Sequence, residues 1–158
     1  MINKITREQL PKCLDILTKS YEDSAVTFGM TEENCPYRGR TRLPLQELEK
    51  EFDNGYSMYG YMTENRIIGF LSMKADAGEL SIQDLAILPD YQGKGFGTEL
   101  ISFAKKTAKQ ANCKAISLGM VHDNISLREW YQKHGFKSIK QLHFEKVSYT
   151  VEIMELIL

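Results

Sequence analysis

The chain has 158 residues, 42% of them hydrophobic and 26% charged, a make-up that excludes disordered and collagen-like classes and fits a soluble globular protein. Lysine and arginine number 20 against 21 acidic residues, so a net charge of −1 supplies no field that would draw nucleic acid. No apolar run approaches the roughly 20 residues of a membrane span, and the opening Met-Ile-Asn-Lys-Ile-Thr does not read as a signal peptide, so a cytoplasmic setting is the expectation.

Taken in order, Ile2 to Ile5 reads as a short strand, and Thr6 with Gln9 has the capping-box pattern opening a helix whose stripe is Leu10, Leu14, Leu17 and Tyr21. Pro11 would remove one intrahelical bond unless it lies in the first turn, which places the helix start near Gln9. Glu22 to Leu43 has no sustained period and carries Gly29, Pro36 and Gly39, the pattern of a long loop with a helical turn. Pro44 suits the first turn of a helix with Leu45, Leu48 and Phe52 on one face, closed by Asn54-Gly55.

Strands at Tyr56 to Met62, Arg66 to Ala75 and Glu79 to Leu88 follow, and the short turns between them make antiparallel neighbours. A helix from Thr98 to Gln110 leads to a strand over Cys113 to Met120, a strand-helix-strand segment that forms a parallel pair. Ser126 and Glu129 read as a second capping box opening a short helix that ends at Gly135, and the last strands are Lys137 to Gln141 and Glu145 to Ile157. The sum is an α/β (α+β) chain, a mixed sheet with helices on both faces, with no repeat or linker dividing it.

Cys13, Cys35 and Cys113 are odd in number and lack paired spacing, so they read as reduced thiols, with Cys13 and Cys113 in core patterns. His122, His134 and His143 have no metal-ligand spacing, and no metal is expected.

The chemistry concentrates between Leu85 and Thr98, where an apolar strand and a proline give way to Gln-Gly-Lys-Gly-Phe-Gly-Thr. Without a Cβ at Gly93, Gly95 and Gly97 the chain can point successive amides at one spot, and the N-terminus of the next helix adds its positive dipole end. That is a seat for a pyrophosphate. A Walker A loop needs Gly-x4-Gly-Lys-Ser/Thr and a dinucleotide fingerprint needs glycine where this chain has Thr98, so neither nucleotide loop fits.

Gln92 to Gly97 resembles the Gln/Arg-x-x-Gly-x-Gly/Ala pyrophosphate loop of the GNAT acetyltransferase superfamily, and Leu85-Ala86-Ile87-Leu88-Pro89 resembles its splayed fourth strand. Asn124, with Tyr131 seven positions on and Gly135-Phe136 beyond, is similar to the family's Asn-x6-Tyr-x3-Gly-Phe block. The resemblance extends over essentially the whole chain, residues 1–158, as a single N-acetyltransferase domain. It implies a mixed, mostly antiparallel central sheet with a splayed pair of central strands, acetyl-CoA as co-substrate and no metal. It further implies transfer of acetyl to a primary amine by direct attack in a ternary complex, since no cysteine falls in either block to carry the acyl group. The implied partner is a small-molecule or peptide amine, with no nucleic acid and no membrane; a homodimer stays open. The competing expectation is a non-catalytic acyl-CoA-binding or sensor module on the same fold.

By the same resemblance, the backbone of Leu85, Ala86 and Ile87 pairs with pantetheine, and Gln92, Gly93, Lys94, Gly95, Phe96, Gly97 and Thr98 hold the pyrophosphate. Asn124 binds the pantetheine arm, Tyr131 protonates the departing thiolate, and a backbone N–H near Ile87 polarises the acetyl carbonyl. The base is where the chain departs from the family pattern: the corresponding positions are Ser81 and Gln83, which do not titrate usefully, and the position five before Asn124 is Gly119. Strand alternation puts Glu79 on the Ser81 and Gln83 face, where it is the candidate base acting through water, while Asp84 faces the other way. The acceptor is expected between the loops Tyr21 to Leu43 and Gln141 to Lys146. There Phe28, Tyr37, Arg38, Arg40 and Arg42 either line a mouth for a carboxylate-bearing acceptor or form a solvated basic loop.

Overall fold

In the computed structural model, which describes residues 1–158, β1 (Ile2–Lys4) is followed by a 3₁₀ turn at Arg7–Gln9 and then α1 (Leu10–Thr27). The Thr6 amide donates to Gln9 Oε1 at 2.9 Å, the reciprocal half of the capping box. Pro11 falls in the first turn, where its missing N–H costs no helical bond. Leu10, Ile16 and Leu17 are fully buried, worth roughly 1.5–3 kcal/mol each.

The helix does not stop at Tyr21 as expected. Ala25 extends the stripe by another turn and is buried. The true end is a Schellman motif: the Met30 amide donates to the Ala25 carbonyl at 2.8 Å and the Gly29 amide to Val26 at 3.2 Å, with Gly29 at φ +64°. The loop is therefore shorter, running from Phe28 to Pro44, with a turn at Pro36–Arg38. Pro44 then caps α2 (Leu45–Asp53), whose Leu48 is buried.

A meander of β2 (Ser57–Thr63), β3 (Arg66–Asp76) and β4 (Glu79–Ile87) leads through a 3₁₀ turn at Pro89–Tyr91 into α3 (Phe96–Gln110). The chain ends with β5 (Ala115–Val121), α4 (Ile125–Lys133), β6 (Lys137–Leu142) and β7 (Val151–Ile157). The N-cap of α4 is Asn124, whose Oδ1 accepts the Leu127 amide at 3.3 Å, rather than the expected Ser126. The last strand begins at Val151 and not at Glu145, because Val151 is the last residue to find partners, Val121 on one side and Leu142 on the other. Before it, Val147 and Tyr149 have no register partner on a neighbouring strand.

The seven strands form one sheet in the order β1-β2-β3-β4-β5-β7-β6, antiparallel throughout except for parallel β4 and β5. Tyr59 packs its ring 4.6 Å from Phe103 of α3, while the next row over, Met58–Ser72–Asp84, meets Tyr21 of α1. Adjacent strand positions point to opposite faces, so α1 and α3 cover opposite sides. No helix is long and apolar enough to cross a membrane.

Candidate active site

The site originates in a pairing defect. β4 bonds to β3 along its whole length but to β5 only at Glu79–Ala115, Leu80–Ile116 and Ser81–Ser117. Past Ser81 the two parallel strands part, and a cleft of about 610 Å³ opens between Ile82–Ile87 on one side and Leu118–Val121 on the other. The splayed central pair expected from the sequence is thus present.

Backbone polarity within the gap follows from antiparallel alternation. The Leu88 amide donates to the Ile68 carbonyl at 2.9 Å, so Leu88 and, two residues back, Ala86 turn their polar groups to β3. Leu85 and Ile87 turn theirs to the cleft. Ala86, expected to pair with a ligand, lines the cleft without offering it a backbone group. The Ile87 carbonyl is already satisfied by Ser20 Oγ at 2.9 Å and Gln92 Nε2 at 2.9 Å. What remains for an extended ligand is the Ile87 amide and the Leu85 carbonyl, since the Leu85 amide lies against the Tyr21 hydroxyl.

At one end of the cleft stands the glycine turn. Gly93 and Gly95 sit at φ +74° and +90°, and a Cβ at either would meet nothing within 4 Å. Glycine is required there by backbone conformation, not by crowding. None of the amides of residues 93 to 98 donates to a carbonyl of the chain; the first helical bond is Glu99 N–H to Gly95 at 3.1 Å. Free amides converging at a helix N-terminus fit a phosphate. Gly97 has a different role, since a Cβ there would lie 3.1 Å from Trp130 Cζ2, so it admits the indole against α3.

The expected phosphate residues divide accordingly. Gln92, Gly93, Gly95, Gly97 and Thr98 line the cleft. Phe96 instead packs its ring on Tyr61 at 4.8 Å and Tyr91 at 6.2 Å, and Lys94 lays its ammonium 5.7 Å from the Tyr91 ring, outside the lining. Gln92 ties the turn to β4 through its bond to Ile87.

Asn124 and Tyr131 reach the same cleft from α4. The Asn124 oxygen is engaged in capping, which leaves its amide nitrogen as the group available to a ligand. Tyr131 is buried beside Trp130 and Phe136, with ring centroids 5.0 and 5.5 Å away, and burial pushes its phenol pKa up. Glu79 is not brought to this constellation. It lies at the paired end of β4, accepts a hydrogen bond from Ser117, and stands roughly 20 Å along the strand from Leu85.

A further expectation, that Asp84 faces away from Glu79 and Ser81, is corrected by a single β-bulge. On β3 the residues Ser72 and Met73 are consecutive, yet their β4 partners are Asp84 and Ile82, which makes Gln83 an extra residue. The bulge reverses the alternation and brings Asp84 to the face of Glu79 and Ser81. Asp84 is buried there, held by Arg40 at 2.9 and 2.8 Å and approached by Tyr21 Oη at 3.3 Å. Burial raises the Asp84 pKa against the downward pull of Arg40.

Two of the three mouth arginines are likewise committed, while Arg42 is exposed. Arg38 pairs with Glu22 at 2.7 Å, and Arg40 spans Asp84 and Glu51. Tyr37, Arg38 and Arg40 adopt φ of 52°, 50° and 70°, a conformation unfavourable to side-chain-bearing residues that these ion pairs help to hold. They are internal struts of the loop, and an acceptor carboxylate would have to displace their partners. Trp130 and the Tyr21–Asp84–Arg40–Glu51 cluster were not read from the sequence.

The family model described as the acetyltransferase (GNAT) family matches residues 14–136. Streptothricin acetyltransferase A of Bacillus subtilis is 33% identical over 118 residues, covering 74% of this chain and 68% of its own length. Matches to other curated relatives span 56% and 62% of their lengths. Among solved structures, the ribosomal-protein-S18-alanine N-acetyltransferase of Escherichia coli superposes with a TM-score of 0.80 at 15% identity, covering 99% of this chain and 92% of that one. The PaiA N-acetyltransferase of Thermoplasma acidophilum, solved in complex with coenzyme A, gives 0.79 at 22% identity, covering 100% and 98%. With the splayed strands, the free amides of the glycine turn and this family match together, the chain belongs to the GNAT family of acetyltransferases.

Proposed function

We propose that the chain moves an acetyl group from acetyl-CoA to a primary amine by direct attack in a ternary complex. One observation carries the reading: a single cleft joins the free amides of Gly93, Gly95, Gly97 and Thr98, the unpaired inner edges of β4 and β5, and the Tyr131 side chain. The amides and the α3 dipole suit the pyrophosphate, and Leu85 with the Ile87 amide suits the extended pantetheine as an added strand. Tyr131, kept neutral by burial, suits proton donation to the departing sulfur. None of the three cysteines lines the cleft, which favours direct transfer over an acyl-enzyme.

For the acceptor, the neutralised Arg38 and Arg40 argue against a carboxylate bound at either, and the kinship with a streptothricin acetyltransferase places cationic amines first. A free-thiol release assay over polyamines, amino acids, aminoglycosides, streptothricin and peptides tests the proposal. Release with at least one amine is expected. Acetyl-CoA binding with no release from any of them would favour an acyl-CoA sensor instead.

A further inference from the structure

The cleft holds a pair of contacting groups that no base position in the sequence announces. Tyr21, on the last turns of α1, lines the cleft and directs its hydroxyl to Asp84 Oδ1 at 3.3 Å. Asp84 in turn is anchored by Arg40, whose guanidinium also binds Glu51 at 3.0 and 2.8 Å. Building on the transferase reading above, the geometry points to Tyr21 as the residue that accepts the acceptor's proton, with Asp84 as the positioning residue that takes the proton Tyr21 gives up.

The step balances as follows. An ammonium acceptor gives one proton to the Tyr21 oxygen while the Tyr21 hydroxyl proton moves to Asp84, which leaves a neutral amine and a neutral phenol. The nitrogen then bonds the acetyl carbon, and the carbon–sulfur bond breaks with its electron pair on sulfur. Tyr131 protonates that sulfur and is restored by the second nitrogen proton. Asp84 finally releases its proton to solvent, one per turnover.

The surroundings of Asp84 favour this task. Tyr21 faces it from α1, Arg40 from the 28–44 loop, and Glu51 from α2 by way of the shared arginine. On β3 its register partner is Ser72, whose buried hydroxyl has no hydrogen-bond partner, and Lys74 on the same face turns to the Tyr56 ring at 5.0 Å. Tyr131 of α4 raises the Tyr21 phenol further. Two carboxylates share one arginine, so the cluster carries one excess negative charge when both are ionised, the sign that stabilises an incoming ammonium. Tyr21 is held neutral by burial first and by Asp84 second, as a relay that never ionises requires.

The experiment measures kcat/KM for an amine that the thiol assay identifies, with the full chain, over about pH 6 to 10. Tyr21→Phe is expected to lose about a hundredfold at neutral pH and to recover as pH nears the pKa of about 10 of a free alkyl amine, where the substrate arrives already neutral. Asp84→Asn should show the same recovery. The phenylalanine variant deletes one oxygen and keeps the ring, and an unchanged melting shift with acetyl-CoA verifies its folded cofactor site. A neutral-pH rate equal to that of the parent, or a loss constant across pH, would overturn the relay while leaving the transferase reading intact. A parent chain that binds acetyl-CoA and acetylates no amine would overturn both.

Discussion

Arg40 binds Asp84 through two hydrogen bonds, Nε to Oδ1 at 2.9 Å and Nη2 to Oδ2 at 2.8 Å, and so fastens the 28–44 loop to the middle of β4 across 44 positions of sequence. Asp84 is 1% exposed, so without this partner a carboxylate would be buried uncompensated. Breaking such a pair from one side costs about 3 kcal/mol. Arg40→Ala should therefore lower Tm by roughly 10 °C, whereas Arg38→Ala, which removes a pair to a Glu22 side chain that is 44% exposed, should cost under about 1 kcal/mol. Thermal and urea unfolding of both variants check this. Small, equal losses with a raised acceptor KM would return both arginines to the acceptor site.

Gly95→Asp should abolish stabilisation by acetyl-CoA. In the parent, a ligand held only by the native state at a hundredfold excess over Kd adds about 2.7 kcal/mol. At φ +90° the new residue is strained, and its carboxylate enters the open space in front of the free amides. Differential scanning fluorimetry with and without acetyl-CoA reads the difference; an undiminished shift in a folded variant would take the turn out of the binding site.

These two residues mark what the sequence could and could not reveal. The glycine turn was legible because its chemistry is local: consecutive amides need only their own neighbours to converge. The helices and most strands were legible because their periods are sustained. Asp84 was misread because a one-residue bulge at Gln83 reverses every later side chain, and no residue type announces it. Glu79 lies at the paired end of β4, away from the cleft lining; alternation gives the face of a strand but not where along it the neighbouring strand departs. The end of α1 lay at Thr27 rather than Tyr21 because Ala25 is apolar enough to continue the stripe, a judgement that needs the core in view.

Acid should destabilise the fold in part through Glu152. Ser138 first, then His122 and Arg128, hold its carboxyl below the ordinary 4.5 against the opposing effect of burial. Because the folded state binds this proton less readily than the unfolded one, the contribution is complete above the ordinary carboxylate range and vanishes as pH falls through the depressed folded value. Glu22, lowered by Arg38, adds in the same sense. Tm measured from neutral pH downward should thus fall below about pH 4.5, and the fall should be shallower, though not absent, in Glu152→Gln. An identical acid slope in the two proteins would remove Glu152 from the account.

Tyr131→Phe should lower kcat by roughly ten- to a thousandfold with a smaller effect on acetyl-CoA affinity, as expected of a hydroxyl that acts mainly in the transition state. The ring remains packed between Trp130 and Phe136, so the fold should persist. Its pH signature should oppose that of Tyr21→Phe. A missing proton acceptor is replaced by alkali, which delivers the amine already neutral; a missing donor is not, since rising pH only makes protons scarcer at the sulfur. The Tyr131→Phe deficit should therefore persist or deepen from about pH 7 to 10, where the Tyr21→Phe deficit closes. Parallel profiles for the two variants would mean that one tyrosine does not do the job assigned to it, and full turnover in Tyr131→Phe would exclude its hydroxyl from the protonation of the leaving group.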